Sequence, residues 1–154
     1  MEPARENFST YSIEFARLYL AIGSEIDVVS KLLCHKANPR IKPKGINNYR
    51  PVIVAKYPDF PEVEVIVSRS ELSLTPWKEW RNGTNPPWWW HYNEVKHERD
   101  KHFKEATLEN TLNALGGLLV AVGYLYAEDL RDCYLPTSRN LIGFGTKYII
   151  PAAV

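Results

Sequence analysis

The chain is short of the features that most directly assign a function. Its 154 residues include only 2 cysteines, Cys34 and Cys133, whose separation fits neither a zinc-ligand spacing nor a disulfide framework. That absence excludes a small disulfide-stapled scaffold and suits a reducing, cytoplasmic compartment. Charge of neither sign is in excess: the formal net charge is +1, which excludes a protein that coats nucleic acid by bulk charge alone. The longest apolar run, Leu112 to Ala127, is interrupted by Asn113 and is shorter than the roughly 20 residues a membrane span needs, so a buried helix and no membrane partner are expected. The start, Met1-Glu2-Pro3-Ala4-Arg5-Glu6, has no apolar stretch behind a basic opening and does not read as a secretory signal. There is no glycine-rich phosphate loop, because Gly143-Phe144-Gly145 is followed by Thr146-Lys147 and not by Lys-Ser/Thr at the required spacing. His91, His97 and His102 contain no i, i+4 pair, and on one continuous helix His91 and His102 stand about three turns apart. Neither a metal nor a cofactor is expected.

What the chain does contain is a mainly helical pattern. Apolar content of 45% and charged content of 24% are ordinary for a globular protein, and the length predicts a single helical domain over 1–154. Phe15, Leu18, Tyr19, Ile22, Ile26, Val29 and Leu33 form one unbroken helical stripe, so a long helix is expected from a cap at Ser9 or Thr10 to about His35. Pro51 to Tyr57 and Val63 to Ser68 are rich in β-branched residues and flank a Pro58–Glu62 turn, which predicts a β-hairpin inserted over 51–70. Trp77 and Trp80 should pin the irregular stretch that follows. Asn85-Pro86-Pro87 is a helix start for a second long helix to about Glu105. At about 100° per residue, Trp88, Tyr92, Val95, Arg99, Phe103 and Ala106 share its inner face. Thr107 caps a third helix through about Glu128, apolar on nearly every side. An irregular tail occupies 131–154. The expected architecture is three long helices with an inserted hairpin.

Charge is distributed unevenly. No acidic residue occurs between Asp27 and Asp59, a stretch that carries Lys31, Lys36, Arg40, Lys42, Lys44, Arg50 and Lys56. Such a segment can attract phosphates by counterion release even in a nearly neutral protein; the competing reading is a solvated loop. Glu25 sits at the edge of the first stripe and Arg99 within the second. A buried ion pair between them is expected, because an unpaired buried charge costs several kcal/mol.

The segment Tyr92-Asn93-Glu94-Val95-Lys96-His97 resembles the signature of the HEPN superfamily of helical, nucleotide- and RNA-associated domains, in which an arginine is followed, often through Asn or Asp, by a histidine several residues on. Asn93 and His97 match that spacing, and the resemblance covers 10–34 and 85–130. Tyr92 stands where catalytic members carry arginine. The resemblance implies a helical bundle working as a homodimer and metal-independent RNA cleavage, with histidine moving protons at the ribose 2′-hydroxyl and arginine stabilising the phosphate. It casts His97 as the acid–base residue, Asn93 as its positioning partner and Lys96 as a phosphate contact. A histidine suits proton transfer near neutral pH, whereas tyrosine cannot act as a fixed cation. Arg99, on a continuous helix, points away from His97.

These observations define the leading expectation: an RNA- or nucleotide-binding domain, in the manner of a degenerate ribonuclease of a bacterial defence or toxin-type system. Its RNA contacts would be Lys36, Arg40, Lys42, Lys44, Arg50, Trp90, Lys101 and Lys104, and its homodimer would form through the apolar third helix. Two alternatives stay open: a non-catalytic interaction or immunity-type module, and a helical binder of a small ligand near Trp90.

Overall fold

A computed structural model describes residues 1–130 and 142–144. The longest element, α1 (Ile13–Ala37), starts where Ser12 adopts an extended backbone and its Oγ accepts the Phe15 amide at 3.1 Å. The cap is therefore Ser12, later than expected. Thr10 is already occupied: its carbonyl accepts the Leu108 amide at 2.8 Å, and Tyr11 bridges to Thr107. Tyr19, Ile26, Val29 and Leu33 of the stripe are buried, while Leu18 faces outward.

The first correction concerns the hairpin. Residues 51–56 are not a strand but the second half of α2 (Ile46–Lys56). Gly45 supplies the left-handed backbone, with φ of 76°, that opens this helix. Ile46, Tyr49 and Ile53 are then buried at helical spacing. Helical burial overrides the β-branched composition of Val52-Ile53-Val54, and Pro51 is tolerated on the solvent side. The true hairpin is β1 (Val65–Val67) with β2 (Leu72–Leu74), paired Val65 to Leu74 and Val67 to Leu72. A third strand, β3 (Ile142–Phe144), pairs antiparallel on the other side of β1, giving the order β2-β1-β3. It falls within the expected irregular tail; the rest of 131–154 lies outside the described residues.

The second correction concerns the helix expected over 86–105. It is α3 (Pro87–His97), which ends where Glu98 leaves helical geometry at φ −137° and ψ 55°. A short α4 (Arg99–His102) and a 3-10 turn (Phe103–Glu105) follow on a new heading. Thr107 then caps α5 (Leu108–Leu125), its Oγ accepting the Asn110 amide at 3.2 Å, and α6 (Ala127–Leu130) closes the first described segment.

The core lies between α1, α3, α5 and the sheet. Trp77, Trp80, Trp88 and Trp89 are all buried in it. The Trp77 Nε1 donates to the Gly117 carbonyl at 3.0 Å, and the Trp88 Nε1 donates to Pro76 O at 2.6 Å. Gly116 and Gly117 let α5 approach Pro76, Val65 and the two indoles closely. The apolar circumference of α5 is thereby largely met within the chain, leaving Leu115, Leu118, Leu119, Val122 and Leu125 half-buried. The chain is mainly helical with a small antiparallel sheet. Among the described residues, no helix is long and apolar enough to cross a membrane.

Candidate nucleic-acid interface

The expected site residues fall into three groups. Some cations are engaged in holding the fold. Lys36 is half-buried; its Nζ donates to the Leu125 carbonyl at 2.8 Å and lies 3.9 Å from Glu128. It closes the C-terminal end of α5, where orphan carbonyls favour a cation. The guanidinium of Arg50 donates to Asn85 Oδ1 at 3.0 Å, tying α2 to the start of α3. Lys101 is paired with Glu98.

A second group is exposed. Arg40, Lys42 and Lys44 are exposed on the α1–α2 loop, and none forms an ion pair with a described carboxylate. Lys104 is likewise exposed. Trp90 is 67% exposed, apart from the buried indoles, and the Trp90 flank of α3 faces solvent.

The third group is the motif itself. Tyr92 is buried, and its ring lies against Gly23, where an added Cβ would overlap it. An arginine at this position would have to desolvate its charge on α1. Asn93 is half-buried and its Nδ2 donates to the Trp89 carbonyl at 2.9 Å, within its own helix. That bond holds the amide against its own helix. Lys96 is exposed, with its Nζ 5.7 Å from the Tyr92 ring centroid.

Behind this edge, Asp27 accepts from Lys31 Nζ at 2.6 Å and from the Tyr49 hydroxyl at 2.7 Å. Burial pushes the Asp27 carboxyl up, but hydrogen bonds from Lys31 and Tyr49, with the charges of Lys31 and Lys96, outweigh burial and hold it below its ordinary range. Burial, followed by the bond to Asp27, raises the Tyr49 phenol.

The break at Glu98 changes the geometry most. The expected buried pair of Glu25 and Arg99 does not form: both residues are exposed, and no ion pair joins them. Their predicted phases assumed one continuous helix, and that phase relation is lost at Glu98. Arg99 instead lines the same open depression as His97, with Lys96 and Asp100 on its rim and Leu20, Val95 and Phe103 beneath. An imidazole and a guanidinium that sequence spacing set on opposite sides thus border one concave surface of about 770 Å³.

The break also gathers a group that spacing alone did not reveal. His91 Nδ1 lies 2.9 Å from Glu94 and 3.4 Å from Glu105, while His102 lies 3.9 Å from both Glu94 and Glu98. The hydrogen bond from His91, aided by the charge of His102 against a smaller effect of burial, holds the Glu94 carboxyl below its ordinary range. The i, i+3 spacing of His91 and Glu94 was visible in the sequence; the folding back of His102 and Glu105 was not. Among the described residues, no three of the histidines, cysteines and carboxylates come together as metal ligands. Cys34 is buried, and burial pushes its thiol up to about 11, which makes it a poor nucleophile.

No family model, no curated protein and no solved structure matches the chain.

Proposed function

We propose that the chain is a HEPN-like RNA-binding domain that cleaves RNA without a metal, with His97 moving protons and Arg99 stabilising charge on the phosphate. The observation that carries this reading is the shared depression of His97, Lys96 and Arg99. Transfer of the 2′-hydroxyl proton needs a group that titrates near neutrality, and the phosphate transition state needs a fixed cation. Arg99 supplies the second requirement, which Tyr92 cannot. Arg40, Lys42 and Lys44 would attract the polyanion, and Trp90 would offer a stacking face.

The test is cleavage of a fluorescent single-stranded RNA in the presence of a chelator. His97→Ala and Arg99→Ala both alter exposed side chains, so the fold should persist. Each is expected to slow cleavage by about 10²–10³-fold. Cleavage that persists unchanged in His97→Ala, or no cleavage by the parent chain, would overturn the catalytic reading. Binding that falls steeply with salt and is weakened in Lys42→Glu/Lys44→Glu would still support RNA association.

A second reading, a non-catalytic interaction module, is favoured by the outward apolar side chains of α1. Leu18 is 52% exposed, Val28 46% and Leu32 49%. It predicts that His97→Ala changes nothing while Leu18→Glu disrupts an assembly.

A further inference from the structure

A helix on a protein surface ordinarily turns charged and polar side chains outward, and the outward ridge of α1 departs from that pattern. Leu18, Ala21, Glu25, Val28, Leu32 and His35 are all exposed and succeed one another at alternating steps of three and four residues. Leucine, alanine and valine thus occupy most of a ridge that meets solvent. The helix cannot rotate to hide them. Its other face, with Tyr19, Ile26 and Leu33 buried, is already packed against α2, α3 and α5. The second strongly apolar helix, α5, is largely enclosed by its own chain, so the free apolar ridge is on α1. An alternation of three and four is the spacing with which one helix meets another at a shallow crossing angle.

Charge decides which helix fits. Glu25 sits in the middle of the ridge and forms no ion pair among the described residues. Lys31 flanks the same ridge, and its side chain is 54% exposed. Its bond to Asp27 uses one of the three ammonium hydrogens. Two copies of α1 laid parallel would press Glu25 against Glu25. Laid antiparallel, with Ala21 facing Leu32 of the second copy, they set a small side chain against a large one. In that register Val28 packs on the aliphatic stem of Glu25, and the Glu25 carboxylate comes beside Lys31 of the second copy. Two-fold symmetry makes each of these contacts twice. The ridge is therefore complementary to itself.

We propose that α1 is a self-association surface: two copies of this chain pair antiparallel along the ridge from Leu18 to Leu32, Glu25 of each matched to Lys31 of the other. This gives the interaction-module reading a definite partner, a second copy of the chain. It is independent of the nuclease reading, because none of these residues lines the His97 depression.

Analytical ultracentrifugation of the full chain, from low micromolar concentrations upward, tests it. The parent should sediment as a reversible dimer. Val28→Lys alters an exposed side chain, so the helical dichroism should persist while the dimer dissociation constant rises about 100-fold. Glu25→Lys and Lys31→Glu, each alone, should raise it about tenfold, because each sets like charges together across the two-fold axis. An equimolar mixture of these two variants should recover dimers of parental affinity, since only the mixed pair restores both opposite-charge contacts. Glu64→Gln, away from α1, should change nothing. Should Lys31→Glu fail to fold for want of the Asp27 contact, Glu25→Lys mixed with the parent supplies the comparison: the mixed pair should be weaker than the parental one. A parent that stays monomeric would overturn self-association and leave the interaction-module reading to its own test. A dimer indifferent to Val28→Lys would overturn the face, and a mixture no tighter than either variant alone would overturn the antiparallel match.

Discussion

At the residue scale, Gly23 and Tyr92 are one feature. The tyrosine is buried at the motif position because α1 carries no side chain opposite it. Gly23→Ala should therefore destabilise by about 1–3 kcal/mol through overpacking, despite the better helix propensity of alanine. Urea denaturation of Gly23→Ala, Tyr92→Leu and the double variant checks this. The double variant should lose less than the sum of the single losses, and strict additivity would show that the two side chains do not compete for one space.

Asp27 carries a pH signature at the same scale. Its carboxyl is held below the reference value of 3.8. A depressed carboxylate adds stability that is fully present above its unfolded pKa and is lost as pH falls through its folded one. Parent protein should therefore be more stable than Asp27→Asn at about pH 6, with the difference shrinking as acid is added below about pH 4. Thermal melts across that range would refute the assignment if the gap between the two proteins stayed constant. Tyr49→Phe, which removes one of the two donors, should narrow the gap without abolishing it.

At the scale of elements, legibility in the sequence followed the strength of the local signal. The stripe of α1, the nearly all-round apolar run of α5 and the cap at Thr107 could be read directly, since a long helical or apolar pattern leaves few alternatives. Residues 51–57 misled because a run of valine and isoleucine fits a strand and a buried helix equally well over so short a span. The deciding information, that Ile46, Tyr49 and Ile53 meet the core while Tyr49 reaches Asp27, is tertiary. The end of α3 was illegible for a different reason. Neither glycine nor proline marks it, and the Glu98 backbone turns where the His91, Glu94, His102 and Glu105 side chains gather. The surfaces on both sides of α3 depend on that turn. It removed the expected Glu25–Arg99 pair, brought Arg99 beside His97, and brought Glu105 to His91. Asn93 and His97 were legible as helical neighbours, but the partner of each depends on what the chain does after residue 97.

At the scale of the molecule, α3 separates two surfaces of different chemistry. One edge presents Lys96, with the His97 and Arg99 depression beyond it. The other presents His91 and a separate cleft of mixed charge. The nearly balanced total charge conceals this division, because much of the positive charge elsewhere is neutralised by local partners such as Glu14, Asp27 and Glu62.

The placement of the indoles gives the protein a built-in optical reporter. Trp77, Trp80, Trp88 and Trp89 are at most 7% exposed, and Trp77 lies 4.3 Å from Trp80 and 4.9 Å from Trp88 between ring centroids. Rings so close in a rigid interior should couple their transitions and give a strong near-ultraviolet dichroic band that vanishes on unfolding. Trp90 alone meets the solvent, so acrylamide should quench a single, red-shifted component of the emission, and Trp90→Phe should remove it. The same chromophores can thus report separately on the integrity of the interior and on whatever comes to rest against the outer flank of α3.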